Sequence, residues 1–229
     1  MLHPRGYFPL AKNRNFFYHH FSTIVLYLWR AVRDVAKRSY DSERVRQDVL
    51  REAEGLFSRK GYTATSIADI SKVTGHSKGH IYYHFKSKEE LFVALAQQTM
   101  RKWGERWQER AMTCSSPPEK LYAIADFVMD NYQQDLLKAG QELASLPGVQ
   151  PSTVQALYGL AVTPMAAYKA IIEEGMASGD FRQCDAERLS LLFGAWLGGL
   201  NSFVHTMDRD TLRGLYRETA ALFLRSISG

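Results

Sequence analysis

The chain has 229 residues, enough for one large domain or two small ones, each with a core of its own. Apolar residues make up 45% and charged residues 23%, a globular balance that excludes disorder over most of the length. The net charge of +5 is uneven: residues 1–38 carry +6, residues 39–90 carry +1 and residues 91–229 carry −2, so attraction to a polyanion belongs to the N-terminal third.

Residues 1–40 read as a basic N-terminal extension. Its longest charge-free run, 15–29, has fifteen residues and includes His19 and His20. A membrane span needs about 20 apolar residues, so no membrane contact is expected. Lys12 and Arg14 ahead of 21–29 imitate a signal peptide, but Arg30 and Arg33 follow at once and no small-residue cleavage site does. A basic arm or a mis-called start fits better. With only Cys114 and Cys184 there is no disulfide scaffold and no four-cysteine zinc site, which suits a cytoplasmic protein with reduced thiols.

Beyond Asp41 the apolar residues recur at helical spacing. Val45, Val49, Ala53, Leu56 and Phe57 form one stripe and predict a helix over 42–60. Ser66-Ile67-Ala68-Asp69 and Ser87-Lys88-Glu89-Glu90 fit capping boxes, and Ser116-Pro117-Pro118-Glu119 places proline at a helix start. Gly61, Gly75 and the Gly175/Gly179 pair mark stops. The further helices expected are 66–73, 77–84, 87–112, 117–138, 152–178 with a kink at Pro164, 185–205 and 208–227. Residues 139–151, with Gly140, Pro147 and Gly148, read as a loop or short irregular helix. The fold class is all-α.

Residues 66–84 hold two short helices joined around Gly75, the spacing of a helix-turn-helix. Ile67, Ile70 and Val73 are expected to face the helix over 42–60, with Ile81 and Phe85 closing the far side. The outward face of the second helix reads Ser77, Lys78, His80, Tyr82, Tyr83, His84. It carries no acid, and each side chain can donate to a phosphate oxygen or a base edge. Gly79 lets a backbone approach closely. A helical hairpin that merely packs would not need two tyrosines and two histidines on an exposed surface.

From 49 to 91 the chain resembles the DNA-binding domain of TetR/AcrR-type repressors. The segments that carry the resemblance are Ala53…Leu56-Phe57…Lys60-Gly61-Tyr62, Thr65-Ser66-Ile67-Ala68-Asp69-Ile70-Ser71, Thr74-Gly75…Ser77-Lys78-Gly79…Ile81-Tyr82-Tyr83-His84-Phe85 and Lys86-Ser87-Lys88-Glu89-Glu90-Leu91. Ser71, Thr74, His76 and His80 depart from the family's usual residues. The resemblance implies that Ser77, Lys78, Gly79 and His80 enter the major groove, and that Tyr82, Tyr83 and His84 meet backbone phosphates or a thymine methyl. It implies that Thr65 or Ser66 holds a phosphate at a helix N-terminus and that Lys88 does so at the next helix. It further implies an N-terminal domain over 41–90 and a C-terminal ligand-binding and dimerisation domain over 91–229, joined by a long helix. The partners implied are double-stranded DNA with a palindromic operator, a second copy of the chain, and a small-molecule effector.

In the C-terminal part, Gly194 and Gly198 make a GxxxG pair beside Gly199, which allows close helix contact within the chain or between chains. The resemblance implies that the last two helices dimerise, which places these glycines at the dimer interface. Trp103, Trp107, Tyr122, Met129, Tyr132, Tyr158, Met165, Tyr168 and Trp196 recur on helical faces. Such stripes are either plain core or the lining of an effector pocket, and these residues are the candidates for the latter. No arginine cluster suggests a phosphorylated ligand, so a hydrophobic or aromatic effector is expected. Enzyme readings lack any GxGxxG, Walker loop, HExxH or GxSxG. His76, His80 and His84 at i, i+4 and i+8 could clip a metal, but as DNA-facing residues they need none, and no cofactor is expected. A DNA-free adaptor is the remaining alternative. A salt titration separates the two, because only a phosphate-binding protein has salt-sensitive DNA affinity to lose.

Overall fold

The structure is a computed structural model and describes residues 40–132 and 134–228. Apart from Tyr40, the basic extension anticipated over 1–40 lies outside the described residues. The chain divides into two compact units, 1–48 and 49–229. In the first, residues 40–48 are helical, and Gln47 Nε2 donates to Glu43 Oε1 at 2.7 Å along that helix.

In the second unit the helices follow in order: α1 (49–60), α2 (Ile67–Thr74), α3 (Lys78–His84), α4 (Lys88–Ala111), α5 (Pro117–Asp130), α6 (Gln134–Ser145), α7 (Pro151–Gly159), α8 (Val162–Ser178), α9 (Ala186–Leu200) and α10 (Arg209–Ile227). A 3-10 turn, Asn201–Phe203, follows α9. The architecture is all-α, and the starts are set by side chains that take up orphan N–H groups. Ser66, Ser77, Ser87, Ser116, Asp185 and Asp208 each accept from a backbone N–H three residues on. Gly75, at φ +72°, closes α2 in the left-handed conformation and turns the chain toward α3.

Four expected elements differ. The helix anticipated over 117–138 ends at Asp130, where Asn131 leaves the helical region and both its backbone N–H and its Nδ2 donate to the Phe127 carbonyl. A separate α6 then covers much of the anticipated 139–151 loop. Its buried stripe is Leu136, Ala139 and Leu143, at i, i+3 and i+7. Gly140 faces the Phe92 ring, which a Cβ there would meet at 3.5 Å, ordinary van der Waals contact. The helix anticipated over 152–178 breaks at Leu160 and Ala161, not at Pro164. Pro164 sits in the first turn of α8, where its missing N–H has no partner to lose. The helix anticipated over 185–205 ends as α-helix at Leu200.

The larger core joins α4, α5, α8, α9 and α10. Trp103 and Trp107 lie against Phe127, and Phe193 meets Tyr168 edge-on and Phe223 at a tilt. Arg209 and Arg213 of α10 each donate to Asp130 of α5 at 2.7 Å, tying the outer edges of these helices. Around the short helices, Val49, Leu50, Ala53, Leu56 and Phe57 of α1 are buried, with Ile67, Ile70, Ile81, Phe85, Leu91, Phe92 and Leu95. Val73, expected to point inward, is 48% exposed: at the end of an eight-residue helix it lies past the buried stripe of Ile67 and Ile70.

Gly175 does not stop α8. It lies within the helix, and a Cβ there would stand 2.0 Å from Cδ2 of the buried Phe181 ring. At Gly194 the Cβ would stand 2.3 Å from Cε of Met165, the free end of a flexible side chain. Gly175→Ala should therefore destabilise the chain by about 1–3 kcal/mol or more, lowering Tm by several degrees. Gly194→Ala should lower it less. Thermal unfolding of both variants checks this, and an equal or reversed order would contradict the packing described.

Candidate nucleic-acid interface

One side chain of α3 is buried, Ile81. With Phe85 at the C-cap it pins the helix, and the helical period then turns the other positions outward. Ser77, Lys78, Gly79, His80, Tyr82 and Tyr83 are all exposed, Tyr83 at 78%. Ser77 Oγ accepts from His80 N–H at 3.2 Å, which ties the helix start to its own cap. Among the described residues only that hydroxyl, at 4.0 Å, approaches the place of a Gly79 side chain, so the backbone is bare there. The imidazoles of His76, His80 and His84 follow one another at 5.4 Å between ring centres, and Tyr83 meets His84 edge-on. Lys78 makes no ion pair among the described residues. The face is basic, aromatic and free of acid, able to donate to phosphate oxygens and base edges. Within the described residues no group of three or more His, Cys, Asp or Glu is arranged to hold a metal.

The N-terminus of α2 is laid out differently. Ser66 is exposed and closes a full capping box: its Oγ accepts from Asp69 N–H at 3.1 Å, and Asp69 Oδ2 accepts from Ser66 N–H at 2.9 Å. Asp69 also accepts from the Ser66 hydroxyl at 2.7 Å and pairs with Lys60 at 3.4 Å. These hydrogen bonds from Ser66 hold the Asp69 carboxyl at about 2. Thr65 is buried, and its hydroxyl donates to the Gly61 carbonyl at 2.8 Å. It is therefore not placed to hold a phosphate.

Lys88 also differs from expectation. Its Nζ donates to the carbonyls of Tyr62 and Thr65, both at 2.9 Å, and lies 4.1 Å from the centre of the Tyr62 ring. Burial lowers the pKa of this ammonium, and burial with the nearby Glu89 pushes the Tyr62 phenol up to about 12. An ammonium with two carbonyls and a ring face is committed inside the fold, not to an outside phosphate. The same loop has a second partner that sequence reading passed over. Glu142 of α6 accepts from Tyr62 N–H at 2.7 Å and from Thr63 N–H at 3.0 Å. No local signal marks it, since its partners lie about 80 residues away.

The candidate effector residues divide. Trp103, Trp107 and Tyr168 are in the large core, and Tyr122, Met129 and Met165 pack partly buried against it. Tyr132 is half-buried, and burial raises its phenol. Tyr216, not anticipated, is buried in the same core and donates to Asn201 Oδ1. Tyr158 is 73% exposed and is not placed among them, whereas Trp196, 46% exposed, meets Phe223 of the core edge-on at 6.3 Å. For Tyr158 the reason is the break between α7 and α8, which ends the shared helical register. A cavity of about 350 Å³ is lined by Glu54, Thr99, Lys102, Glu105, Arg106 and Glu109, a polar set with none of these aromatics. Of the glycines expected at a dimer interface, Gly194 packs against Met165 and Tyr168 within the chain, while Gly198 and Gly199 are open and exposed.

Two family descriptions match the chain: "Bacterial regulatory proteins, tetR family" over residues 49–95 and "QacR-like protein, C-terminal region" over residues 99–229. The chain is similar to the HTH-type transcriptional regulator QacR of Staphylococcus aureus, 28% identical over 185 residues that span 80% of this chain and 98% of that one. It is similar to the HTH-type transcriptional repressor NicS of Pseudomonas putida, 27% identical over 154 residues, 66% of this chain and 72% of that one. In fold it resembles the Bacillus subtilis transcriptional regulator FadR crystallised with stearoyl-CoA, at a TM-score of 0.65 and 18% identity, over 78% of this chain and 97% of that one.

Because the Asp69 carboxyl is depressed from its ordinary 3.8 to about 2, the cap it forms is present above the ordinary value. It is lost as pH falls through the window between the two. The Ser66 and Asp69 amide resonances of the folded chain should therefore shift together with a midpoint near pH 2, and Asp69→Asn should remove the step. Ser66→Ala should cost about 1 kcal/mol of stability at neutral pH, read by chemical denaturation. A Ser66 amide that titrates near pH 4 would contradict the capping geometry.

Proposed function

Since the chain belongs to the TetR family of bacterial transcriptional regulators, a family of DNA-binding proteins and not of enzymes, we propose that it is a cytoplasmic repressor that grips a palindromic operator as a homodimer. A small hydrophobic or aromatic effector, taken up among the C-terminal helices, releases it. The observation that carries this reading is the acid-free exposed face of α3, with Lys78, His80, Tyr82 and Tyr83 projecting from a helix pinned by Ile81 and Phe85.

The division of labour follows from exposure. Ser77, Lys78, Gly79 and His80 at the start of α3 are the groove-reading positions. Tyr82 and Tyr83 serve the phosphates beside them, while His84, expected to do the same, is half-buried against Tyr83. Ser66 stands exposed at the start of α2, where backbone N–H groups add attraction for an anion. Thr65 and Lys88 support the reader from inside. A single seven-residue helix buries too little for tight binding, which favours two copies on two half-sites about 34 Å apart.

For the second copy, α9 offers an apolar exposed face. Leu191, Leu192 and Trp196 lie outward, with the bare backbone of Gly198 and Gly199 beside them and Leu222 exposed on α10. Effector coupling is supported by α4. It runs 24 residues without proline, about 36 Å at 1.5 Å per residue. Its Leu91 and Phe92 are buried near the reader, and its Trp103 and Trp107 in the aromatic core. Among the described residues no helix is long and apolar enough to cross a membrane.

Duplexes selected from a random library by the full-length chain provide the test. The selected sequences should be palindromic and the complex should contain two chains. Lys78→Ala should reduce the slope of log affinity against log salt by about 1, as for one lost phosphate contact or base-edge lysine. Lys88→Ala should leave that slope unchanged while lowering Tm, because its ammonium is spent on Tyr62 and Thr65. A chain that stays monomeric on its selected DNA, or that selects no sequence, would defeat the proposal.

A further inference from the structure

The loop at 61–66, between α1 and α2, is gripped on both sides of its backbone. Its N–H groups at Tyr62 and Thr63 donate to the Glu142 carboxylate of α6. Its carbonyls at Tyr62 and Thr65 accept from the Lys88 ammonium of α4. The loop ends on Ser66, the cap of α2, and Ser71 Oγ of α2 donates to the His76 carbonyl at 2.7 Å, just ahead of α3. The placement of the loop therefore carries into α2 and from there into the turn that aims α3.

Gly61 shows how closely Glu142 is seated. The residue has φ +79°, and a Cβ there would stand 2.8 Å from Glu142 Oε2. The carboxylate thus rests on bare backbone in the left-handed conformation. The buried residues of α6, Leu136, Ala139 and Leu143, make apolar contacts without directional preference. Such contacts let a helix slide by small amounts. A carboxylate on two N–H donors does not, because charge-assisted hydrogen bonds weaken steeply with distance and angle. A hydrogen bond from the Thr63 side chain, with the Tyr62 and Thr63 N–H donors and the facing Lys88 charge, also holds the Glu142 carboxyl below its usual range, so it is ionised at neutral pH.

We propose that Glu142 is the positioning residue through which α6 sets the stance of the reader helices, so that a displacement of α6 reaches α3 by way of the 61–66 loop. That an effector supplies the displacement rests on the regulatory reading above; the mechanical link does not.

Hydrogen–deuterium exchange of the full-length chain at neutral pH, read by mass spectrometry without DNA, tests the link. In Glu142→Ala, peptides over 61–66 should exchange about tenfold faster or more, having lost a charged acceptor. Peptides over 71–86, which hold the end of α2 and all of α3, should accelerate with them. Peptides over 103–107 and 186–228 should exchange as in the wild type. Glu142→Gln, which keeps one acceptor oxygen without the charge, should fall between the two at the same peptides. Acceleration confined to 61–66 would overturn the proposal, leaving Glu142 as a local loop cap. Unchanged exchange would overturn it too, as would acceleration throughout the chain in both variants, since Glu142 would then serve overall stability. No DNA enters the measurement, so a wild-type chain that binds no duplex would strike the functional reading and leave this result standing.

Discussion

Phe57 of α1, Tyr62 of the following loop and Phe92 of α4 meet ring to ring. Phe57 stacks on Tyr62 at 5.7 Å, and Phe92 stands edge-on to both, at 5.0 and 5.4 Å. The reader helices depend on a floor of this kind. α2 has eight residues and α3 seven, below the roughly 12–15 residues at which an isolated helix holds in water. Burial of Ile70, Ile81 and Phe85 supplies what length does not. Each such side chain contributes roughly 1.5–3 kcal/mol, more than the ~1 kcal/mol of a cap. Burial therefore decides that the helices exist, and the serine caps decide where they begin.

The same floor organises the polar chemistry around it. Tyr62 lends its ring and carbonyl to Lys88 and its N–H to Glu142, so one residue of the aromatic cluster is also the junction between α4, α6 and the loop into α2. With α3 pinned from below, its outward face follows from the helical period alone. α4 carries the arrangement onward, since its first turns end in the reader's core and its later turns, with Trp103 and Trp107, in the larger one. A regulator that must report one event at the other end of the chain needs such shared elements, and this chain has two of them meeting at one loop.

The exposed reading face was legible because its signals are local. The caps at Ser66 and Ser77, the turn at Gly75 and the run from Lys78 to Tyr83 each act over about four residues, and the structure puts Lys78, His80, Tyr82 and Tyr83 outward. Lys88 carried a local signal of equal quality, a cation in the first turn of a helix, yet its partners come from 23 and 26 residues upstream. Thr65 and Ser66 are neighbours with similar side chains, and only the path of the loop tucks one in and leaves the other out. The aromatic stripes suffered in the same way. Tyr158 and Tyr168 share a stripe only if one helix joins them, and the break at Leu160 and Ala161 means that none does.

The all-helical class, the short reader helices and their polar, acid-free face follow from the residue order alone, because caps, turns and the 3.6-residue period are properties of neighbouring residues. Which polar groups are spent inside is set instead by how the chain folds back on itself. Lys88, Thr65 and Glu142 all satisfy the 61–66 loop, and Gly175 and Gly194 leave room for Phe181 and Met165. Those assignments rest on which backbone groups arrive unpaired beside which side chains, and how closely two helices approach. Both depend on the whole path of the chain, since a buried N–H or carbonyl must find its partner wherever the fold brings one.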